Sequence, residues 1–227
     1  MEGALRQGDQ KSTGRMAELR RRFEEEEAEV LVGNCKRGAV IAIVATFGGS
    51  LMDWFVYPDL FLNFLFLRAA VACFIGAAMA FLWWNPMRRA GRLIGHLIVL
   101  FPILNVLWMI VEAEPQDKGA GSPYYAGLCL VMVGSVLLLR WKFTDGVINS
   151  VLAYGGYLAV AIAIETPVVD ITRNSFFILV TGLIACVGLF YYNRLRFSEY
   201  CLRAAVLEQR QELERNHERL QALDEAK

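Results

Sequence analysis

Residues 69–84 read Ala69-Ala-Val-Ala-Cys-Phe-Ile-Gly-Ala-Ala-Met-Ala-Phe-Leu-Trp-Trp84, a run with no charge and no polar face. An amphipathic helix in a soluble protein returns to polar residues about every 3.6 positions; this run never does. Residues 175–192 are apolar all round in the same way. A helix needs about 20 predominantly apolar residues to cross a bilayer, and several stretches reach that length. Apolar residues make up 56% of the 227, while charges crowd into 1–37, the short connections and the C-terminal tail. The expected fold class is therefore all-α: a polytopic six-helix transmembrane bundle with a C-terminal cytoplasmic coiled-coil helix.

Six spans are expected near 37–56, 64–84, 93–112, 124–141, 146–165 and 175–193. Pro58-Asp59, Asn85-Pro86, Pro115 to Pro123, Thr144-Asp145 and Thr166-Pro167 are the breaks between them. Three segments follow: 1–36 as a cytoplasmic N-terminal part, 37–193 as the membrane domain, and 194–227 as a cytoplasmic signalling helix. Within the first, residues 1–14 read as disordered. Met16–Leu31 reads as a solvated juxtamembrane helix, with Arg20, Arg21 and Arg22 four positions before Glu24, Glu25 and Glu26.

Orientation follows from Lys and Arg in the short connections. Arg88, Arg89, Arg92, Arg140, Lys142, Arg194 and Arg196 fall on one side. Asp53, Asp59, Glu112, Glu114, Asp117, Glu165 and Asp170 fall on the other, against only Lys118, Arg173 and the membrane-edge Arg68. Both termini are expected in the cytoplasm of a bacterium, with the domain in its inner membrane. The external connections are too short to hold a folded sensor domain, so a stimulus has to be read within the membrane or at its outer rim.

Zero net charge gives no argument for nucleic acid as a partner. The five cysteines, Cys35, Cys73, Cys129, Cys186 and Cys201, form no Cys-x-x-Cys pair and read as packing residues rather than a metal or disulfide framework. No apolar signal-peptide core precedes the first span. No catalytic set, metal site or cofactor is expected; a haem on His96 would need the same histidine from a second subunit, because His217 lies far away in the tail.

Candidate ligand-binding residues gather at one level. Asp53 near the end of span one and Arg68 near the start of span two should pair, since a charge in hydrocarbon costs a few kcal/mol. Trp54, Tyr57, Glu112, Tyr124, Tyr125 and Glu165 are expected near them, with Asn174. Aromatic residues there form an interfacial belt in the simplest reading; a rim pocket for a small apolar ligand is the functional one. Pro102 can bend span three, with Asn105 repairing the freed backbone or bonding across helices. Gly155 and Gly156 in span five read as close-packing residues.

The tail carries a heptad pattern. Val206, Leu213 and Leu220 fit a positions; Leu202, Gln209, Asn216 and Leu223 fit d positions. Polar d residues weaken such a core while fixing its register. A homodimer through this helix is expected, resting in two arrangements of similar energy.

The segment Leu220-Gln-Ala-Leu223-Asp224-Glu-Ala-Lys227 resembles the stretch that precedes the phosphoacceptor histidine box of bacterial sensor histidine kinases. The stretch Ser122-Pro-Tyr-Tyr-Ala-Gly-Leu128 resembles six-span input domains found on such kinases and on class III nucleotide cyclases. The resemblance implies the input and transmitter part of a six-span kinase, cut before its phosphoacceptor. It also implies dimerisation and phosphotransfer to a response regulator through a kinase domain outside these residues. Two other readings stay open: the membrane anchor of a class III nucleotide or diguanylate cyclase, and a stand-alone small membrane protein such as a transporter subunit or scaffold.

Overall fold

The computed structural model describes residues 2–84, 88–117 and 123–225, and all regular structure among them is helical. The elements are α1 (Glu2–Val56), a single 3-10 turn (Pro58–Leu60), α2 (Phe61–Trp84), α3 (Arg88–Asp117), α4 (Tyr125–Leu139), α5 (Phe143–Ala163) and α6 (Val168–Glu225). Each of the six expected apolar stretches is in a helix. Five are long and apolar enough to cross a membrane, which makes this a multi-pass membrane protein. The exception is α4, with 15 residues; at about 1.5 Å per residue it covers about 22 Å, short of the roughly 30 Å of a hydrocarbon core.

The chain turns where its backbone chemistry requires it. Proline removes a helix hydrogen bond and is favoured in the first turn, and Pro58 opens the 3-10 turn after α1. Before Pro167 the chain reverses through Glu165, whose φ of 55° is left-handed. The Pro167 carbonyl then accepts from the N–H groups of Asp170 and Ile171 to start α6.

Several expectations are corrected. Thr144 and Asp145 lie inside α5, and the turn falls earlier, at Arg140, where φ is 51°. Asp145 starts the helix instead of breaking it, because its carboxylate accepts from the Lys142 N–H at 3.3 Å. Pro115 sits in the last turn of α3; Asn85-Pro86 and residues 118–122 lie outside the described residues. Helix α1 begins at Glu2, where disorder is expected from composition. Nucleating a helix is costly but extending one adds a bond per residue, and residues 2–14 hold no proline to stop the extension.

Two compact units divide the chain: Glu27–Phe190, and Met1–Glu26 with Tyr191–Lys227. In the first, α3 is central and packs on α2, α4 and α5. Phe64, Ile75, Ile103, Met109, Leu128 and Trp141 fill its interior. Lipid is as apolar as leucine, so close packing of small residues holds membrane helices together. Gly156 of α5 illustrates this: a Cβ there would stand 2.7 Å from a Leu107 methyl of α3, whereas neighbouring Gly155 faces open space.

In the second unit, Phe23 packs against Phe197 and Tyr200, each at 5.4 Å between ring centroids. The N-terminal helix expected to be solvated is thus seated on α6, because its apolar stripe finds aromatic partners there. Glu18 accepts from Arg21 at 3.1 Å and Arg22 at 2.8 Å, which holds its carboxyl down at about 2. The heptad ridge of Leu202, Val206, Leu213, Leu220 and Leu223 stays exposed.

Candidate functional site

The first polar centre of the Glu27–Phe190 unit is built around Asp53, which is fully buried near the end of α1. A buried carboxylate has to be paired and hydrogen-bonded to be tolerable, and here every partner comes from another helix or its leading turn. Arg68 of α2 grips it bidentately, Nε on Oδ2 at 2.6 Å and Nη2 on Oδ1 at 2.9 Å. The Tyr124 hydroxyl, at the head of α4, donates to Oδ1 at 2.6 Å. The third used N–H of Arg68, on Nη1, goes to the Thr46 carbonyl at 2.9 Å.

Two further features fix this centre. Tyr57 stacks on Tyr124 at 5.4 Å, and Phe64 meets Tyr124 edge-on at 5.5 Å. Gly49 of α1 provides the floor under the guanidinium: a Cβ there would lie 2.5 Å from Arg68 Nη1 and 2.8 Å from Cζ. A side chain at 49 and the fork at 68 cannot coexist in these positions. The arrangement ties α1, α2 and α4 together with a net charge near zero.

Beside it runs a cavity of about 310 Å³ between α1, α3 and α4. Arg68, Thr46, Gly49 and Tyr124 border one end, and Gly38, Leu138 and Leu139 the other. Asn105 and Pro102 of α3 form part of its back wall. Asn105 is 4% exposed and its Oδ1 has no hydrogen-bond partner. Helix α3 continues through Pro102.

The structure separates the other expected rim residues. Trp54 is exposed and meets the Phe61 ring edge-on at 5.0 Å. Glu112 accepts from Trp108 Nε1 at 3.1 Å and Asn63 Nδ2 at 3.3 Å, forming its own half-buried group. Tyr125 stacks on Phe177 of α6 at 6.1 Å. Glu165 is exposed in its turn. Asn174 is buried, and Arg173 Nε reaches its Oδ1 at 3.4 Å. Asp53, Arg68, Tyr57 and Tyr124 are the members brought together.

A second centre, which sequence reading missed, lies at the start of α5. Asp145 is buried and accepts from Arg92 of α3, Nε at 2.9 Å and Nη2 at 2.5 Å. His96 Nε2 stands 3.4 Å from the same carboxylate oxygen, and His96 Nδ1 is 3.3 Å from Asn149 Oδ1. The Trp141 ring covers His96 at 5.1 Å. His96 is therefore a partnered side chain tying α3 to α5. Arg92 and His96 four residues apart on one helix face, opposite an acid at a helix start, were the available signal.

Residues 51–207 match the model of the MASE8 family, a family of membrane-associated sensory domains. The match covers more than half of the chain, runs from the Asp53 end of α1 to Leu207 in α6 and includes Asp53, Arg68, Tyr124 and the Asp145 centre, though not Thr46 or Gly49; the chain belongs to this family. No curated protein and no solved structure matches it.

Proposed function

We propose that this member of the MASE8 family is the sensory input and transmitter part of a bacterial sensor histidine kinase, set in the inner membrane with both ends in the cytoplasm. The observation that carries the reading is α6. It runs as one helix from Val168, through the apolar stretch 174–193, to Glu225, and the family match follows it as far as Leu207. A helix that leaves a membrane bundle can carry a rotation or a sliding movement to whatever is joined to it. Its exposed ridge of Leu202, Val206, Leu213, Leu220 and Leu223 fits a parallel homodimer, with Gln209 and Asn216 as polar d residues that keep the dimer weak enough to switch. The ending Leu223-Asp224-Glu-Ala-Lys227 supports a kinase as the output, and a response regulator as the eventual partner through that kinase. The Lys and Arg bias supports the orientation, with α4 counted as a short sixth crossing flanked by Arg140 and Lys142.

The second reading is a nucleotide or diguanylate cyclase output, since the stretch Ser122–Leu128 resembles input domains of class III nucleotide cyclases as well as of kinases. The native gene product in membranes decides between them. An acid-labile phosphohistidine formed from ATP on a band well above 25.5 kDa supports the kinase. A cyclic nucleotide product supports the cyclase, and a band at 25.5 kDa sinks both. Asn216→Leu tests the transmitter: the change should raise the dimer fraction of the purified chain and fix the output in one state. An unchanged monomer fraction would remove Asn216 from any dimer core.

A further inference from the structure

We propose that the cavity between α1, α3 and α4 binds a single aliphatic chain of about ten carbons that ends in a small neutral group able both to donate and to accept hydrogen bonds, a hydroxyl or a protonated carboxyl. The binding itself stands apart from the kinase reading; only its consequence for output rests on it.

Shape gives the first argument. Gly38, Ala42, Ala45 and Gly49 follow one another along one face of α1, and Ala126, Gly127 and Gly134 line the cavity from α4. Stripes of small residues usually let two membrane helices close on each other. Here contact is made at one end, where a Cβ on Gly38 would stand 2.9 Å from Leu139, while about 310 Å³ stays unfilled towards Arg68. At about 30 Å³ for each water-sized group, that space takes about ten methylenes.

Polarity gives the second. Three of the five N–H groups of Arg68 are used, two by Asp53 and one by the Thr46 carbonyl, so two remain to donate. Asn105 also lines the cavity, is nine-tenths buried, and has an unpartnered Oδ1 that can accept. An unmet acceptor in a buried site is destabilising, and a ligand O–H would satisfy it. Asp53 already neutralises Arg68, so an anionic head gains little there; a neutral hydroxyl or carboxyl satisfies both groups. The tail then extends towards Gly38 and Leu139.

Access gives the third. Ile41, Met52 and Leu130 on the rim are 47, 44 and 74% exposed, so the cavity opens sideways on an apolar surface, which in a membrane protein faces lipid. The α1 wall from Gly38 to Gly49 precedes the family match, which begins at residue 51.

The test uses the full 227-residue chain in nanodiscs, photolabelled with decanoic acid carrying a terminal diazirine, and separately with phosphatidylcholine carrying the same acyl chain. The free acid should label residues 41–52 and 126–139, and decanol should compete at least tenfold better than decane. Gly134→Leu should reduce labelling at least tenfold. Its Cβ meets nothing within 4 Å, so the leucine fills the cavity rather than the core. Gly155→Leu, equally open but outside the cavity, should leave labelling unchanged. Asn105→Leu should abolish the preference for decanol over decane. Labelling spread over the whole apolar surface, or undiminished in Gly134→Leu, overturns the proposal; so does labelling by the phospholipid alone, which would make the occupant a bilayer acyl tail. If labelling succeeds and decanol leaves the output of the full-length protein unchanged, the site stands and the sensory reading fails. An output that answers decanol without cavity labelling sinks the site and spares the sensory reading.

Discussion

Gly49→Ala should destabilise the bundle, while Gly48→Ala, one position earlier on α1, should stabilise it. At position 49 the new methyl would lie 2.5 Å from Arg68 Nη1, where an ordinary contact is about 3.5–4.0 Å. The guanidinium has to retreat by about 1 Å. Its Nη1 bond to the Thr46 carbonyl, now 2.9 Å, then exceeds hydrogen-bond range, at a cost of about 1.5–3 kcal/mol for a charged donor. Alanine returns about 1 kcal/mol in helix propensity, which leaves a net loss of about 0.5–2 kcal/mol. If the retreat also dislodges the fork from Asp53, a buried charge loses its partner and the loss reaches about 3–5 kcal/mol. At position 48 a Cβ meets nothing within 4 Å, so only the propensity gain of up to about 1 kcal/mol applies. The two variants should therefore differ by at least about 1.5 kcal/mol, about twelvefold in the unfolding equilibrium. Titration with a denaturing detergent in mixed micelles, followed by tryptophan fluorescence, reads the difference. Equal stabilities, or Gly49→Ala the more stable, would refute the account of Gly49 as the floor of the Arg68 site.

Asp145→Asn keeps one acceptor oxygen but removes the charge that pairs with Arg92 and faces His96; with Arg92 half exposed, the expected loss is at the low end for charged bonds, about 1.5 kcal/mol in the same titration. Glu165→Gly should stabilise by up to about 1 kcal/mol, because φ at 165 is 55° and left-handed backbone penalises a residue with a Cβ; a loss of stability would show that the Glu165 side chain is itself needed. Ser150→Cys places a thiol where Oγ now lies 3.7 Å from the Cys186 sulfur; mild oxidation should join α5 to α6 and hold the output constant until reduction, and an oxidised protein that still responds would show that α6 does not move against α5.

The helices were legible because hydrocarbon imposes length and composition together, as at 69–84 and 175–192. The Asp53–Arg68 pair was legible for a related reason: intramembrane charges are scarce, so two at one depth find each other. What failed was angle. Position along a helix gives depth, but each residue turns the side chain by about 100°, and depth alone cannot tell that Glu112 faces Trp108 and Asn63 while Tyr124 faces Asp53. Asp145 escaped notice because it sits where a helix begins, a place where acids are common without further meaning; its partners Arg92 and His96 are more than 40 residues away in sequence. The cavity is an absence of atoms and leaves only an indirect trace, the small residues at 38, 42, 45 and 49. The seating of Phe23 on Phe197 and Tyr200 joins the two ends of the chain, a pairing that no local pattern announces.

The two polar centres also bear on which helix can carry a signal. Asp53 fastens α1, α2 and α4 through charged, directional bonds, and Asp145 fastens α3 and α5 in the same way. Shifting any of these helices by an ångström breaks bonds worth about 1.5–3 kcal/mol each. Between Arg173 and Arg194, α6 has no charged residue at all, so no ion pair can hold it there. It meets its neighbours through neutral contacts: Phe190 on Phe143, Phe177 on Tyr125, Leu189 over Gly146, and the Cys186 sulfur beside Ser150. Such contacts can re-form after a small slide or rotation, because dispersion is not directional. Phe177 stacks on Tyr125, the residue next to Tyr124, and Tyr124 borders the cavity beside Arg68. On the proposed sensory reading, a change at that border would reach α6 through that pair of stacked rings, and α6 is the helix that no ion pair holds between Arg173 and Arg194.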